Sequence, residues 1–332
     1  MPERLRIGIV GCGGIATAHT SAYQKVADVE IVFVFDVRRE GAEKAASSTG
    51  ARIACSVDEM VEKDRLDAVS VCTPPATHLA VCRPFLQKGI AILCEKPLEV
   101  DAPAAAELAA TVEKSDGVFM TAFCHRFHPA VIELRKLIDQ GTLGTPLLFR
   151  NMFGGYSDMT TNHRAKRSLS GGGPLIDHCC HSYDLFRHLV GDPSAVQAMA
   201  GNVLQDMEIE DFGMALLDVK GKSFGEITAS YSLQACSNLV EWYGSEGRAV
   251  VSYFDANEPD LKYRTKDSAD WVAVDCSQHP DRFTGEITHF VHCVGTKSQP
   301  PISAEDGLKA NQIAAAIYES VETGTKAQVH YK

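Results

Sequence analysis

A glycine-rich turn between a strand and a helix is the feature that most restricts how this chain can fold. The turn reads Gly11-Cys12-Gly13-Gly14-Ile15-Ala16, a G-x-G-x-x-A pattern, and it completes the strand-like run Leu5–Gly11. Asp36 ends the next strand-like run, 20 residues after Ala16. The pattern indicates dinucleotide binding when it lies between a strand and a helix and an acidic residue ends the next strand, as is the case here.

Each small residue of the turn has a physical reason to be there. Gly11 makes the tight turn, Gly13 lets the backbone approach a pyrophosphate, and Ala16 permits close packing of helix on strand. The helix N-terminus then offers N–H groups and a partial positive charge to the phosphates. A structural turn without a ligand is the alternative. The candidate cofactor-binding residues of this region are Gly11, Cys12, Gly13, Gly14, Ile15, Asp36 and Arg38.

Asp36 also predicts which dinucleotide is used. A carboxylate at this position accepts hydrogen bonds from the ribose hydroxyls and repels a 2′-phosphate, so we expect NAD. Arg38 and Arg39 follow at once, and a guanidinium there can neutralise that phosphate. NADP therefore remains possible.

The first part of the chain alternates strand-like and helix-like segments. Continuous apolar strands separated by helices predict a parallel sheet that is covered on both faces. We therefore predict a doubly wound, Rossmann-type α/β domain over residues 1–122. The further strands are expected at 30–36, 67–72, 90–95 and 118–122, and the helices at 14–26, 40–49, 76–88 and 101–116.

The pattern changes at Phe123, where strands follow one another with short polar turns. This predicts a C-terminal α+β domain over residues 123–332, with an open, mostly antiparallel sheet and helices on one face. The last helix, 304–323, can pack against the first domain instead. Strands are expected at 145–153, 195–205, 209–219, 223–232, 238–244 and 248–254, and helices at 130–140, 175–190, 283–295 and 304–323.

Charge and composition exclude several classes of protein. The net charge is −11, and the acidic excess holds in both parts: 13 basic and 17 acidic residues in 1–122, 19 and 26 in 123–332. We therefore expect no nucleic-acid partner. No run reaches the roughly 18 apolar residues of a membrane helix, and the N-terminus lacks an export signal. The eleven cysteines show no CxxC pair, which suggests reduced thiols in a cytoplasmic protein.

Two strand ends carry further candidates, because ligands of open α/β sheets bind outside the carboxyl ends of the strands. One is the segment Thr73-Pro74-Pro75-Ala76-Thr77-His78. The alternative interpretation is that this segment is only a turn followed by the start of a helix. The other is Glu95-Lys96-Pro97. The alternative interpretation is that Glu95 and Lys96 form an exposed ion pair before a proline turn. The Lys96 ammonium can hydrogen-bond a substrate oxygen while Glu95 holds it in place.

The predicted helix 175–190 carries a polar stripe formed by Asp177, His181, Asp184 and His188. Spacings of three and four residues place these side chains on one helix face. The stripe is either a solvated face or a carboxylate that orients a histidine for proton transfer. Adjacent ligand-type residues point about 100° apart on a helix, so no metal site is expected.

A basic cluster, Asn162–Arg167, interrupts this acidic part of the chain. It is either a solvated loop or a segment from which Arg164 or Arg167 binds an anionic or polyhydroxylated substrate.

In order along the chain, the motifs resemble those of the Gfo/Idh/MocA oxidoreductase family. The resemblance spans nearly the whole sequence. It rests on GCGGIATAH with His19, TPPATH, EKP, HRFHPA from His125 to Ala130, GGGPLIDHCCHSYDL from Gly171 to Leu185, and DGLKANQIAAAIYES from Asp306 to Ser320.

The resemblance implies a nicotinamide-dependent dehydrogenase or ketoreductase that acts on a sugar, a polyol such as inositol, or a related cyclic alcohol. It assigns catalysis to Lys96, Asp177 and His181, and substrate binding to these three with Arg126 and Arg164. It places Thr73, Pro74, Pro75, His78, Glu95 and Lys96 beside the cofactor. Residues 178–180 are His-Cys-Cys, where the family has smaller or apolar residues, so the substrate stays open.

The resemblance also implies a homodimer or homotetramer that pairs through the sheet of the C-terminal domain. Two other functions remain open at this point. One is a glycosidase that uses bound NAD for transient oxidation, and the other is a nicotinamide-sensing regulatory protein on the same fold.

Overall fold

The computed structural model describes residues 4–62, 66–253, 255 and 257–331. The chain divides into two units, Met1–Cys124 with Asp281–Leu308 and His125–Pro280 with Lys309–Lys332. Each unit has its own sheet.

A six-stranded parallel sheet forms the centre of the first unit. Its strand order is β3-β2-β1-β4-β5-β6, the order typical of dinucleotide-binding folds. The strands are β1 (Leu5–Val10), β2 (Val29–Phe35), β3 (Arg52–Ile53), β4 (Ala68–Val71), β5 (Ala91–Cys94) and β6 (Phe119–Thr121). The helices are α1 (Gly14–Tyr23), α2 (Arg39–Thr49), α3 (Val57–Glu62), α4 (His78–Gln87) and α5 (Ala102–Glu113).

The inner strands of this sheet are buried on both faces, as their continuous apolar sequences predict. All four residues of β4 and all four of β5 are buried. Helix α5 begins where expected, because the Asp101 side chain accepts a hydrogen bond from the Ala104 amide at 2.8 Å. The predicted doubly wound α/β fold is confirmed.

The second unit contains a nine-stranded sheet in the order β14-β13-β12-β11-β7-β10-β9-β8-β15. Every neighbouring pair is antiparallel except β7 with β10, which confirms the predicted open, mostly antiparallel sheet. Its strands are β7 (Pro146–Gly154), β8 (Ala195–Gly201), β9 (Phe212–Val219), β10 (Ser223–Ser230), β11 (Asn238–Gly244), β12 (Gly247–Tyr253), β13 (Leu261–Thr265), β14 (Val272–Val274) and β15 (Ala327–Gln328). The helices up to residue 190 are α6 (Pro129–Asp139), α7 (Arg167–Ser170), α8 (Pro174–Asp177) and α9 (Cys179–Leu189).

One face of this sheet is covered and the other is not. Trp242, Phe149 and Val240 of the sheet and Phe186 of α9 are fully buried in a common core. Met199, Leu216 and Phe224 point the other way and are exposed.

The last two helices, α10 (Arg282–Thr296) and α11 (Ala304–Thr323), correct the predicted domain boundary. Residues 281–308 group with the first unit rather than the second. Helix α10 packs on α1, and Lys25 forms an ion pair with Asp281 at 2.9 Å. The Thr121 hydroxyl donates to the Ser303 carbonyl at 2.8 Å, which ties the start of α11 to the end of β6.

Several elements differ from the predicted ones. The predicted helix 175–190 is two helices that meet at His178. The predicted strand 195–205 ends at Gly201, because Asp211 binds the backbone N–H groups of residues 203, 204 and 205 and bends the chain into a loop. The predicted strand 248–254 is Gly247–Tyr253, and Phe254 lies outside the described residues.

Among the described residues, no helix is both long enough and apolar enough to cross a bilayer. All eleven cysteines fall within the described ranges, and all are free thiols there.

Candidate cofactor and catalytic sites

The glycine turn has the shape that a diphosphate requires. Gly11 has φ +86°, and a Cβ on it would lie 2.7 Å from the Cys72 carbonyl carbon, so only glycine fits. A Cβ on Gly13 or Gly14 would meet no atom within 4 Å. The space beside the α1 N-terminus is therefore open, and the backbone there is accessible to a phosphate group. These residues fit a dinucleotide.

Asp36 lies beside this turn, just after β2. Its Oδ2 accepts a hydrogen bond from the Cys12 amide at 2.7 Å, and its Oδ1 accepts one from the Arg38 amide at 2.7 Å. The Arg38 side chain is 70% exposed, with its Nε 3.9 Å from Asp36 Oδ1. The carboxylate is fixed, while the guanidinium extends into solvent.

The segment after β4 is fixed by hydrogen bonds of His78. The His78 ring is fully buried, with Nε2 2.9 Å from the Thr73 carbonyl oxygen and Nδ1 3.0 Å from the Leu98 carbonyl oxygen. Burial lowers the pKa of His78, although the two carbonyls oppose that shift. His78 therefore links the segment after β4 to the segment after β5.

Glu95 is buried, so this strand end is not the solvent-exposed pair that was the alternative. Its Oε1 lies 2.9 Å from His19 Nε2, and its Oε2 accepts the Lys96 amide at 3.1 Å. Burial opposes a charge on His19, but Cys72 and the Glu95 carboxylate outweigh it and raise the His19 pKa. His19 thus holds the carboxylate that fixes the backbone of Lys96 at the carboxyl end of β5.

In the second unit, Asp177 ends α8 and is 8% exposed. Its Oδ2 accepts hydrogen bonds from the Tyr231 hydroxyl at 2.7 Å and from the Arg164 guanidinium. Burial and the nearby Asp177 charge raise the Tyr231 pKa well above its ordinary value, so Tyr231 is neutral. The structure therefore brings Arg164 to Asp177, as expected for a shared site.

The helix break at His178 has a local cause. The Leu175 carbonyl accepts from the Tyr183 hydroxyl at 2.5 Å, and the Asp177 carbonyl accepts from the Cys180 thiol at 3.2 Å. The His181 amide bonds the His178 carbonyl, three residues back, at 3.2 Å. Side chains thus occupy carbonyls that a continuous helix would use for amides four residues on.

His181 lies in the first turn of α9. Its ring stacks on the His125 ring, with a centroid distance of 4.3 Å and an interplanar angle of 44°. His125 is buried and also contacts Phe153 and Tyr253, at centroid distances of 4.9 and 5.3 Å. The imidazole of His181 is therefore held against an aromatic cluster, and the face is not simply solvated.

Arg126, an expected substrate ligand, pairs with the buried Asp184 of α9. Its Nε donates to Oδ2 at 2.8 Å and its terminal nitrogen to Oδ1 at 2.5 Å. Arg167 instead places its guanidinium 5.3 Å from the centroid of the Tyr318 ring.

The glycine run 171–173 is explained by close contacts. A Cβ on Gly172 would lie 2.0 Å from the Tyr318 hydroxyl, and one on Gly173 would lie 2.0 Å from the Glu210 carbonyl oxygen. Glu210 Oε1 accepts hydrogen bonds from Gly173, Leu175 and Tyr318 at 3.0, 3.2 and 2.8 Å. These bonds fix the start of α8 and hence Asp177.

A small core of Met159, Ala165, Ile209 and Tyr231 lies beneath the Arg164 loop. Gln205 joins the same loops, accepting from the Met159 amide at 2.7 Å and donating to the Ser157 carbonyl at 2.9 Å. The loop is thus supported on both sides of Arg164. Sequence reasoning missed Tyr231, Gln205, Glu210 and the contact of His125 with His181, because no motif marks the first three and the last depends on tertiary packing.

Comparison with known proteins gives one consistent result for both units. Residues 5–123 match the model of the GFO/IDH/MocA oxidoreductase family, an NAD-binding Rossmann fold. Residues 131–250 match the model of the GFO/IDH/MocA C-terminal domain.

Individual proteins match along nearly the whole chain. Inositol 2-dehydrogenase of Rhizobium meliloti is 28% identical, over 96% of this chain and 97% of that protein. D-Xylose 1-dehydrogenase [NADP(+)] of Haloarcula marismortui is 27% identical, over 96% of this chain and 91% of that protein. A solved structure of levoglucosan dehydrogenase with NADH and levoglucosan has a TM-score of 0.91 at 23% identity, covering 98% of this chain and 99% of that one.

Proposed function

The chain belongs to the Gfo/Idh/MocA family of NAD-binding oxidoreductases, and from that premise we propose that it oxidises a secondary hydroxyl of a sugar or polyol with NAD. Its relatives include an inositol dehydrogenase and a xylose dehydrogenase. They give no support to a glycosidase or a regulatory sensor.

One observation carries the proposal. Lys96 lies at the carboxyl end of β5, in the same parallel sheet whose β1 ends in the open glycine turn. Ligands of such sheets bind at the carboxyl ends of the strands, so a lysine fixed there by buried Glu95 is suited to act on the substrate.

Each residue of the proposed site has its own role in the reaction. A bound nicotinamide would supply the acceptor for the hydride that leaves the substrate carbon. His181 takes the proton of the hydroxyl group, and Asp177 supplies a fixed negative charge near the start of α9. Lys96 donates a hydrogen bond to the same oxygen and stabilises the negative charge that develops on it.

The test is a panel of sugars, inositols and sugar acids with NAD, followed by nicotinamide absorbance, in the wild type, two test variants and one control variant. Lys96→Met is expected to bind NADH normally and to lose about 10²–10³ in kcat, the usual cost of one donor to an oxyanion. His181→Ala is expected to lose the dependence of rate on a group that titrates near neutrality. Lys88→Met, at the exposed end of α4, is the control. A near-normal kcat in Lys96→Met overturns the assignment.

We further propose a cytoplasmic homodimer or homotetramer that pairs through the uncovered face of the nine-stranded sheet. Four apolar side chains of neighbouring strands support a second copy there, because soluble monomers rarely expose such a group together. They are Met199, Met214, Leu216 and Phe224, exposed by 75%, 41%, 57% and 50%.

A further inference from the structure

Four basic and aromatic side chains form a row across the uncovered face of the nine-stranded sheet. Tyr243 of β11 lies opposite Arg248 of β12, and Arg248 lies opposite Arg264 of β13. Trp271, just before β14, continues the row. The centroid of its indole ring is 4.7 Å from the guanidinium carbon of Arg248 and 5.2 Å from that of Arg264. We refer to these four residues as the arginine row.

The arginine row lies on the side of the sheet that faces away from α9. Ala249 of β12 and Tyr263 of β13 pack with the core to which Phe186 of α9 belongs. Successive side chains of a strand point to opposite faces of a sheet, so Arg248 and Arg264 point away from that core. A ligand of the arginine row would therefore bind apart from the segment α8–α9, which carries the proposed catalytic residues of this unit.

The two arginines of the row lack the acidic partners that a neighbouring arginine of the same face has. Arg150 of β7 pairs with Glu226 at 2.9 Å and with Glu241 at 2.7 Å. Within the described ranges Arg248 and Arg264 form no ion pair, and the Nε atom of Arg248 is buried there without a hydrogen-bond partner. Two positive charges thus lie side by side with no carboxylate to balance them.

This arrangement is unfavourable without a further partner. Like charges that lie directly opposite each other on neighbouring strands repel. The ring of Trp271 offsets part of the repulsion, because guanidinium groups are attracted to an aromatic face. Lys262 also contacts this ring, at 5.4 Å from the centroid, but Glu258 neutralises it. An anion between the two arginines would offset the rest.

The chemistry of the two arginines favours phosphate among the common anions. A guanidinium group binds phosphate oxygens through two parallel N–H donors. A phosphate monoester carries nearly two negative charges at pH 7, which matches the two unbalanced positive charges of Arg248 and Arg264. A carboxylate carries only one.

We propose that the arginine row is a binding site for a phosphate group, either inorganic phosphate or the phosphate monoester of a small metabolite. Arg248 and Arg264 bind its oxygens, while Tyr243 and Trp271 hold the two guanidinium groups in place. The row spans β11 to β14, whereas the apolar side chains proposed to meet a second copy lie on β8, β9 and β10, beyond β7 in the strand order. The inference does not depend on the proposed function.

Calorimetry on the NADH complex tests the ligand. The Kd values of inorganic phosphate, glucose 6-phosphate and acetate are measured at constant ionic strength, with NADH in excess so that the dinucleotide site is occupied. Phosphate is expected to bind about tenfold or more tightly than acetate, because acetate brings only one negative charge. The tighter of the two phosphate compounds identifies whether the free ion or the monoester is the ligand.

Variants of the row test the residues. Arg248→Gln and Arg264→Gln are each expected to raise the Kd of phosphate about tenfold or more, and Arg264→Lys, which keeps the charge without the paired donors, to raise it less. Lys266→Gln is the matched control. It removes a positive charge two residues from Arg264, but Lys266 already pairs with Glu246 at 2.6 Å, so the Kd should change by no more than about twofold. Circular dichroism verifies that each variant is folded.

Three results would overturn the inference. The first is a wild type that binds neither phosphate compound. The second is an equal weakening by Lys266→Gln, which would indicate a general response to charge. The third is an unchanged Kd in Arg248→Gln and Arg264→Gln together with a changed molecular mass in light scattering, which would make the row a contact between copies. Failure to oxidise any sugar would refute the proposed function and leave this inference standing.

Discussion

At the scale of single residues, the negative charge of Asp36 should favour NAD over NADP. Its two oxygens are held by the Cys12 and Arg38 amides, so it cannot turn away from a ribose 2′-phosphate. Two like charges about 4 Å apart repel by up to roughly 4 kcal/mol at an effective dielectric near 20. Arg38 and Arg39 are exposed, and the Arg39 guanidinium pairs with Glu43 at 2.9 Å.

We therefore expect the wild type to prefer NAD, and Asp36→Asn to raise the kcat/KM for NADP relative to NAD by about tenfold or more. Asparagine keeps the size of the side chain and can still accept one of the two backbone hydrogen bonds, while its amide nitrogen cannot accept the other. Steady-state kinetics with both cofactors give the ratio. An unshifted ratio would mean that Asp36 does not face the ribose.

Tyr231 permits a second test with a small change in structure. Tyr231→Phe keeps the ring in its small core but removes the hydroxyl that donates to Asp177. The variant leaves the Asp177 carboxylate with one hydrogen-bond donor fewer. The kcat is then expected to fall about threefold to tenfold, in line with a net contribution of about 0.5–1.5 kcal/mol from one hydrogen bond.

Tyr243→Phe is the matched control, because the Tyr243 hydroxyl bonds Glu241 on β11 instead. If both variants show the same small effect, the hydroxyl of Tyr231 has no special role.

The residues of the site differ in how far the sequence could predict them. The glycine turn, Asp36 and Lys96 follow from position, since they lie at strand ends that periodicity locates. The Arg164–Asp177 pair was expected only as two separate candidates. Tyr231, Gln205 and Glu210 act through contacts between residues distant in sequence, and a single chain carries no signal for such contacts.

At the scale of elements, the start of α10 depends on one side chain. Asp281 accepts hydrogen bonds from the Phe283 and Thr284 amides at 3.1 Å each, and it pairs with Lys25 of the same unit. Burial alone would raise its pKa, but Thr284 and Lys25 outweigh it and lower the pKa to about 2.

Asp281→Ala is expected to lower the free energy of unfolding by about 1 kcal/mol, while Asp281→Asn, which still caps the helix, loses less. Because the folded pKa is depressed, the charge of Asp281 stabilises fully above its unfolded pKa near 3.9. That contribution disappears as the pH falls toward 2. Denaturant unfolding at pH 7 and pH 3 measures both effects, and equal losses in the two variants would exclude a capping role.

Helices and strands with a clear hydrophobic period were predicted well, whereas breaks within them were not. Helix α11 has the predicted bounds, because its apolar positions recur without a break. The break at His178 was missed, since Tyr183 and Cys180 occupy helix carbonyls only once the helix is packed. The short strands β3, β14 and β15 carry two or three residues each and are too short for a periodic signal.

At the scale of the whole molecule, the uncovered sheet face should control assembly. Leu216→Glu places a charge among Met199, Met214 and Phe224, so the proposed oligomer is expected to dissociate toward monomers in size-exclusion chromatography with light scattering. Val37→Glu is the control, because Val37 is 90% exposed and belongs to the first unit. An unchanged mass for Leu216→Glu would show that copies do not meet on this face.

The contacts of Gly172 and Gly173 bear on how this enzyme can be redesigned. Any side chain at either position would collide with Tyr318 or with the Glu210 backbone, and would displace α8 together with Asp177. A mutagenesis library that varies residues 171–173 would therefore consist mostly of inactive members. Diversity placed at Arg164 and the neighbouring exposed positions of its supported loop leaves α8 and its Gly172 and Gly173 contacts in place, so new substrate preferences are best sought there.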